Sequence, residues 1–281
     1  MLRPILGLVL AAAVTPCAYA AESYDNCTGV ISSLPATIST QGTWCLKANL
    51  STAINTGAAI TINTNNVTID CNDFRIGGLT AGLSTNATGI LATNMLNTVV
   101  RRCGIRGFQL GIRLAGTGSS GALIEHNRLD QNTDAGIVLS GNNHQVIFNR
   151  IVDTGGRPSS SQTDGILSAA AHSQITDNGI IGMTVTLITG DVVGITATGN
   201  ATEVARNYVS ALVPGEDGDA FGIATGASVG GSIHRNQLLS YPAVIGTAIL
   251  SGPGNQCGNN SHTGWDSGVV GCTDAGGNFG N

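Results

Sequence analysis

Val146-Ile147-Phe148-Asn149-Arg150-Ile151 is one copy of the short unit that decides the fold. It reads apolar, two variable residues, Asn, one variable residue, apolar. The unit recurs as Ile69…Asn72…Phe74, Val100…Cys103…Ile105, Ile124…Asn127…Leu129, Ile175…Asn178…Ile180, Val204…Asn207…Val209 and Ile233…Asn236…Leu238. The fourth positions of these seven copies are spaced by 31, 24, 22, 29, 29 and 29 residues. A second signal, Gly followed by an apolar residue, interleaves at Gly89-Ile90, Gly111-Ile112, Gly136-Ile137, Gly165-Ile166, Gly194-Ile195 and Gly222-Ile223, with Gly246-Thr247 a weaker copy. Two strand signals on one period of this length indicate a repeat architecture. The unit lacks leucine-rich spacing and is too short for a four-stranded propeller blade. The expectation is an all-β parallel β-helix of about seven to eight coils, each stacked about 4.8 Å above the last.

The repeat positions are expected to be structural. Asn tolerates the left-handed backbone of a corner, and stacked Asn amides can hydrogen-bond from coil to coil. The flanking Val, Ile and Leu suit a narrow interior. Composition agrees: 40 of 281 residues are Gly, aromatics are 4% and charged residues only 10%. An apolar fraction of 42% allows a sizeable core. Lys47 is the only lysine and the net charge is −5, which argues against a nucleic-acid surface.

Residues 1–20 combine Arg3, an apolar run from Ile5 to Val14 and the small-x-small Ala18-Tyr19-Ala20, the pattern of a secretory signal peptide. The expected location is secreted or periplasmic, without a membrane span and as a monomer. Removing Cys17 with that segment leaves Cys27, Cys45, Cys71, Cys103, Cys257 and Cys272, for which 15 pairings exist. Spacing favours Cys27–Cys45, Cys71–Cys103 and Cys257–Cys272. Open solenoid ends expose strand edges. Residues 21–58 are therefore expected as an N-terminal cap, 59–254 as the helix, and the Gly- and Asn-rich 255–281 as an irregular C-terminal cap.

Asn65-Asn66-Val67-Thr68-Ile69-Asp70-Cys71-Asn72 and Val99-Val100-Arg101-Arg102-Cys103-Gly104-Ile105 carry a resemblance to the right-handed parallel β-helix superfamily of secreted, pectate-lyase-like proteins. Ile124-Glu125-His126-Asn127 adds to it, and the likeness covers about residues 60–260. It implies a right-handed solenoid and an extracellular polysaccharide as partner. It is specific for fold and weak for activity, because this fold hosts several functions.

Chemistry is expected in columns. Asp134, Asp164, Asp191 and Asp219 each lie shortly before a Gly-apolar strand in successive coils. Stacked carboxylates repel. They can share protons, as acid–base glycoside chemistry requires, or hold a hard cation through oxygen ligands. Asp134 and Asp164 are the candidate catalytic pair, and Asp134, Asp164 and Asp191 the candidate Ca²⁺ site. Asn132-Thr133-Asp134 is similar to the Asn-Thr-Asp element of polygalacturonase-type hydrolases, although the other elements of those enzymes are absent. Segments 152–163, 181–191 and 210–219 are expected as stacked loops forming one wall of a groove. A neighbouring column runs Arg102, His126, Phe148, Asp177, Arg206 and Arg235. There Arg206 beside Arg235 is a like-charge pair that an anion would relieve. Arg206, Arg235, Asp191 and Asp219 are thus the candidate substrate-binding residues. The function expected is binding of an acidic polysaccharide along the rod, with cleavage by hydrolysis or by Ca²⁺-dependent elimination. The alternative is a non-catalytic adhesin or envelope binding protein.

Overall fold

A computed structural model describes residues 26–280. The signal-peptide reading of residues 1–20 lies outside them. The chain is an all-β parallel solenoid whose one regular helix is a 3₁₀ turn, Leu79–Ala81, among the described residues. Three ladders run its length. The first is an eleven-stranded sheet from Gly29–Ile31 to Thr273–Asp274. The second stacks Arg75–Gly77, Gly104–Arg106, Arg128–Asp130, Arg150–Val152, Gly179–Thr184 and Tyr208–Val213. The third stacks Ala58–Ile62, Thr88–Thr93, Leu110–Ala115, Ala135–Leu139, Gln162–Ser168, Asp191–Ala197 and Ala220–Ala224. Near the C-terminal end the single strand Gln237–Leu250 pairs with both the second and the third ladder.

Each ladder contributes one stack of aliphatic side chains to the interior. Ile69, Val100, Ile124, Val146, Ile175, Val204 and Ile233 face Ile76, Ile105, Leu129, Ile151, Ile180, Val209 and Leu238, all essentially buried. Ile90, Ile112, Ile137, Ile166, Ile195 and Ile223 complete the triangle. Parallel ladders of this kind let residues far apart in sequence share a column.

The two sequence signals occupy two different corners. The repeat Asn residues form a buried ladder between the first and second sheets. Asn178 Nδ2 donates to the Val146 carbonyl at 2.8 Å and to Asn207 Oδ1 at 3.0 Å, while Asn178 Oδ1 accepts the Asn149 N–H at 3.0 Å. The left-handed backbone expected of these residues falls one position earlier. Arg102, His126, Phe148, Asp177, Arg206 and Arg235 have φ between 51° and 61°. The Asn is needed for its amide and the preceding residue makes the bend. The glycines serve the third sheet. A Cβ on Gly165 would lie 2.5 Å from the Gly194 carbonyl oxygen and 2.7 Å from Ile180 Cγ2, so no side chain fits.

The coil runs into both segments expected as caps, which is why the count exceeds seven to eight. Gly42–Leu46 pairs with Val67–Asp70, and Gln256–Gly258 pairs with Ser232–His234. The Asn ladder likewise continues through Asn260 to Asn278. Cys27–Cys45, Cys71–Cys103 and Cys257–Cys272 are joined as disulfides.

Candidate functional site

The Asp-Gly turns sit where the second sheet passes to the third, and insertions there build loops. Residues 153–161 fold back over the preceding coils. Arg157 anchors this loop by donating to the Thr85 carbonyl and, at 2.7 Å, to Asn86 Oδ1. Two loops distant in sequence, 78–87 and 153–161, are thereby tied together. Between them lies a cleft of about 360 Å³ lined by Leu79, Leu83, Gly107, Gln131, Thr133, Asp153 and Gly155. Its wall is apolar at Leu79 and Leu83, and Gln131 and Asp153 bring an amide and a carboxylate to it, while the Thr133 hydroxyl is buried. The later insertions partly lengthen strands: Thr184 pairs with Val213 and bridges to Gly155.

Asp134 and Asp164 do not line this cleft; Asp134 follows Thr133, which does, and meets Ser160 of the covering loop. Asp164 is 5% exposed. Gln162 Nε2 donates to both of its oxygens at 3.1 Å, and the Thr196 hydroxyl donates to Oδ1 at 2.5 Å. Burial pushes its carboxyl up to about 6, against those hydrogen bonds and with help from the charge of Asp134. Asp134 accepts from Gln109 Nε2 at 3.1 Å and from the Ser160 hydroxyl of the covering loop. Two carboxylates therefore interact, one of them held partly protonated near neutrality. That is the condition acid–base catalysis needs.

The four aspartates do not form one column. Asp164 pairs in register with Ala135 and Val193, whereas Asp191 pairs with Gln162. Asp191 and Asp219 form a separate pair, in which the Asp219 N–H donates to Asp191 Oδ1 at 2.9 Å. The reason is that the distance from Asp to Gly differs between coils, and register is fixed by the glycines. Asp134, Asp164 and Asp191 are consequently not assembled as a Ca²⁺ site, and no group of three metal-ligating side chains converges among the described residues.

The arginine column also differs from expectation. Arg206 grips Asp177 with two hydrogen bonds, Nε to Oδ1 at 2.9 Å and Nη2 to Oδ2 at 2.8 Å. The Arg206 hydrogen bond holds the Asp177 carboxyl below its usual range. Asp177 already supplies the counter-charge, so no anion is needed between Arg206 and Arg235 for this guanidinium. Asp70, Arg101 and Glu125 are register partners in the first sheet and share one column.

A basic pocket of about 450 Å³ went unread in the sequence. It opens on the outer face where the first sheet turns into the second. Arg75, Arg102, Arg106, Arg128 and His126 line it together with Gly104, Asp73 and Asp130. The signal was the residue after the ladder position: Gly104 follows Cys103, Arg128 follows Asn127 and Arg150 follows Asn149. Attention to the two positions before the Asn hides this column.

No protein-family model and no curated protein matches the sequence. Solved structures do resemble the fold. The Dettilon tailspike protein is 14% identical over 89% of this chain and 56% of its own, with a TM-score of 0.52. DFA-IIIase from Arthrobacter chlorophenolicus A6 is 12% identical over 83% of this chain and 68% of its own, at 0.49. A mutant tailspike protein of E. coli bacteriophage HK620, in complex with a pentasaccharide, is 12% identical over 89% and 57%, at 0.47. The chain thus spans little more than half of either tailspike chain. At 14% identity the likeness to the Dettilon tailspike protein shows a shared solenoid architecture alone.

Proposed function

We propose that this is an exported, pectate-lyase-like solenoid that binds an acidic polysaccharide along the flank formed by loops 78–87 and 153–161. The observation that carries it is the cleft these loops enclose, clamped by Arg157 and lined by Gln131, Thr133 and Asp153. An apolar wall beside polar side chains suits a sugar ring, which has an apolar face and hydroxyl edges. The rod is linear, as a polysaccharide is. Three disulfides suit an oxidising compartment.

A specific observation favours hydrolysis as a second reading. Asp164, its carboxyl near 6, would donate a proton to the leaving oxygen, and Asp134 would activate water. The Ser160 hydroxyl holds Asp134, which is half-buried, and the Gln162 side chain of the third sheet covers the buried Asp164, so that both contacts must open for the pair to reach a glycosidic bond. Without that movement the site binds and does not cut.

The test is titration of residues 21–281 against acidic and neutral polysaccharides, with products analysed in parallel. Saturable binding to an acidic glycan is expected, weakened about tenfold or more in the exposed double variant Leu79→Ala/Leu83→Ala. New reducing ends lost in both Asp134→Asn and Asp164→Asn support hydrolysis. Binding without product leaves the adhesin-type reading, and absence of binding to every glycan overturns the proposal.

A further inference from the structure

The basic pocket is built by three successive coils. Arg75, Gly104 and Arg128 are register partners in the second sheet, with Arg150 next in the column. Gly104 brings no side chain between Arg75 and Arg128, and a Cβ there would touch only the Arg75 stem and backbone at 3.5–3.6 Å. Arg106, two residues along the same strand, closes one side, and Arg102 at the corner closes the other. Arg102 is held by Asp70 and Asn72, and Arg106 donates through Nη2 to the Gln131 side-chain carbonyl, but the carboxylates present only partly satisfy Arg106 and Arg128. Asp130 lies 3.8 Å from Arg106 and 3.9 Å from Arg128, beyond hydrogen-bond distance. Arg106 Nε is buried and has no hydrogen-bond partner. A buried guanidinium N–H without an acceptor is costly.

The rim of the pocket is aromatic. His126 lines it and stacks on Phe148, with ring centroids 5.1 Å apart and planes within 11°. Phe148 is 52% exposed, which water disfavours. A flat apolar platform beside a cationic hole matches a sugar that carries an anionic substituent.

We infer that this pocket is an oxyanion site for a phosphate or sulfate group carried on a sugar, with Arg75, Arg106 and Arg128 contacting the oxygens and the His126–Phe148 stack supporting the ring. A planar carboxylate is satisfied by the edge of one guanidinium. Guanidiniums approaching from three coils surround a tetrahedral group, whose oxygens point in as many directions. Of the two sugar-borne anions, the phosphate monoester carries the larger charge at pH 7. The inference rests on the glycan reading only for its sugar half. The oxyanion half is read with inorganic phosphate and stands or falls alone.

The experiment is isothermal titration of residues 21–281 at fixed ionic strength with inorganic phosphate, inorganic sulfate, acetate and a hexose phosphate. Phosphate and sulfate are expected to saturate while acetate binds at least tenfold more weakly. The exposed pair Arg75→Gln/Arg128→Gln should abolish phosphate binding and leave the melting temperature unchanged. Hexose phosphate should bind at least tenfold tighter than inorganic phosphate, and Phe148→Ala should remove that margin. Phosphate binding that is absent, or equal in wild type and the double Arg variant, overturns the oxyanion site. Acetate as tight as phosphate overturns the tetrahedral assignment. Equal affinity for free and sugar-borne phosphate overturns the sugar half, whatever the polysaccharide titration at the cleft has shown.

Discussion

Asp70 and Asp164 are buried to nearly the same degree, 3% and 5% exposed, yet their surroundings drive them in opposite directions. Burial pushes Asp70 up, but Arg102, the Asn72 N–H and Arg101 together outweigh it and hold the carboxyl below its usual range. Asp164 has only neutral donors, Gln162 and Thr196, and a neighbouring carboxylate, so burial prevails and raises it to about 6. The contrast follows the rod. Residues 70–150 hold seven arginines against five carboxylates, whereas residues 153–219 hold two against eight. One fold thus carries, in its cation-rich stretch, a buried carboxylate met by guanidiniums and, in its acidic stretch, one that is not. The first stretch can anchor structure and attract anions. The second keeps a proton available near neutral pH.

The sharpest way to break this comparison is to neutralise each carboxylate in turn. Asp70→Asn leaves Arg101 and Arg102 facing each other without their counter-ion and weakens several charge-assisted bonds. A loss of about 3 kcal/mol in unfolding free energy is expected at pH 7, measured by denaturant titration. An unchanged midpoint would mean that the guanidiniums, each about 40% exposed or more, are served by water alone. Asp164→Asn should act with the opposite sign. Its native carboxyl is raised above the unfolded value, so its contribution is full below about pH 4 and is lost as pH rises through about 6. Above that pH the wild type bears a cost on the order of 2–3 kcal/mol. The Asn variant should be more stable by up to that amount at pH 7 and should show a flatter stability profile between pH 4 and 6. Asp70 works in the other window: its contribution is present above the unfolded carboxylate range and lost as pH falls through its lowered value.

The fold was legible because the interior repeats and the surface does not. The Asn ladder and the glycine column each demand one residue type, for an amide in the first case and for lack of a Cβ in the second. Such demands recur at every coil and survive as a period. The terminal coils escaped because their copies are disguised. At Cys257…Asn260…His262 the flanking apolar positions are a disulfide cysteine and a histidine, although Asn260 accepts from Asn236 as every ladder member does. The candidate pair Asp134 and Asp164 could be named from sequence, but its neighbours could not. Gln109 and Thr196 reach the two carboxylates from different coils, and the loop bearing Ser160 is placed by Arg157 gripping residues more than seventy positions away. Spacing within a repeat contains no information about such a grip.

The smallest expected effect sharpens the comparison at an exposed site. Asp177 and Arg206 form a two-point ion pair on the acidic stretch, with side chains 25% and 44% exposed. Both are left-handed corner residues, at φ 61° and 55°. Water screens such a pair, and exposed ion pairs are worth roughly 0–1 kcal/mol. Asp177 sits in a conformation Asn adopts readily, so Asp177→Asn removes the charge and keeps the bend. The variant should lose less than about 1 kcal/mol at low salt, and the difference should shrink further as salt screens the pair. Denaturation at two ionic strengths reads both quantities. A loss as large as that of Asp70→Asn, or one indifferent to salt, would show that the corner column carries the stability assigned here to buried pairs. In that case the contrast between the two stretches would not rest on burial.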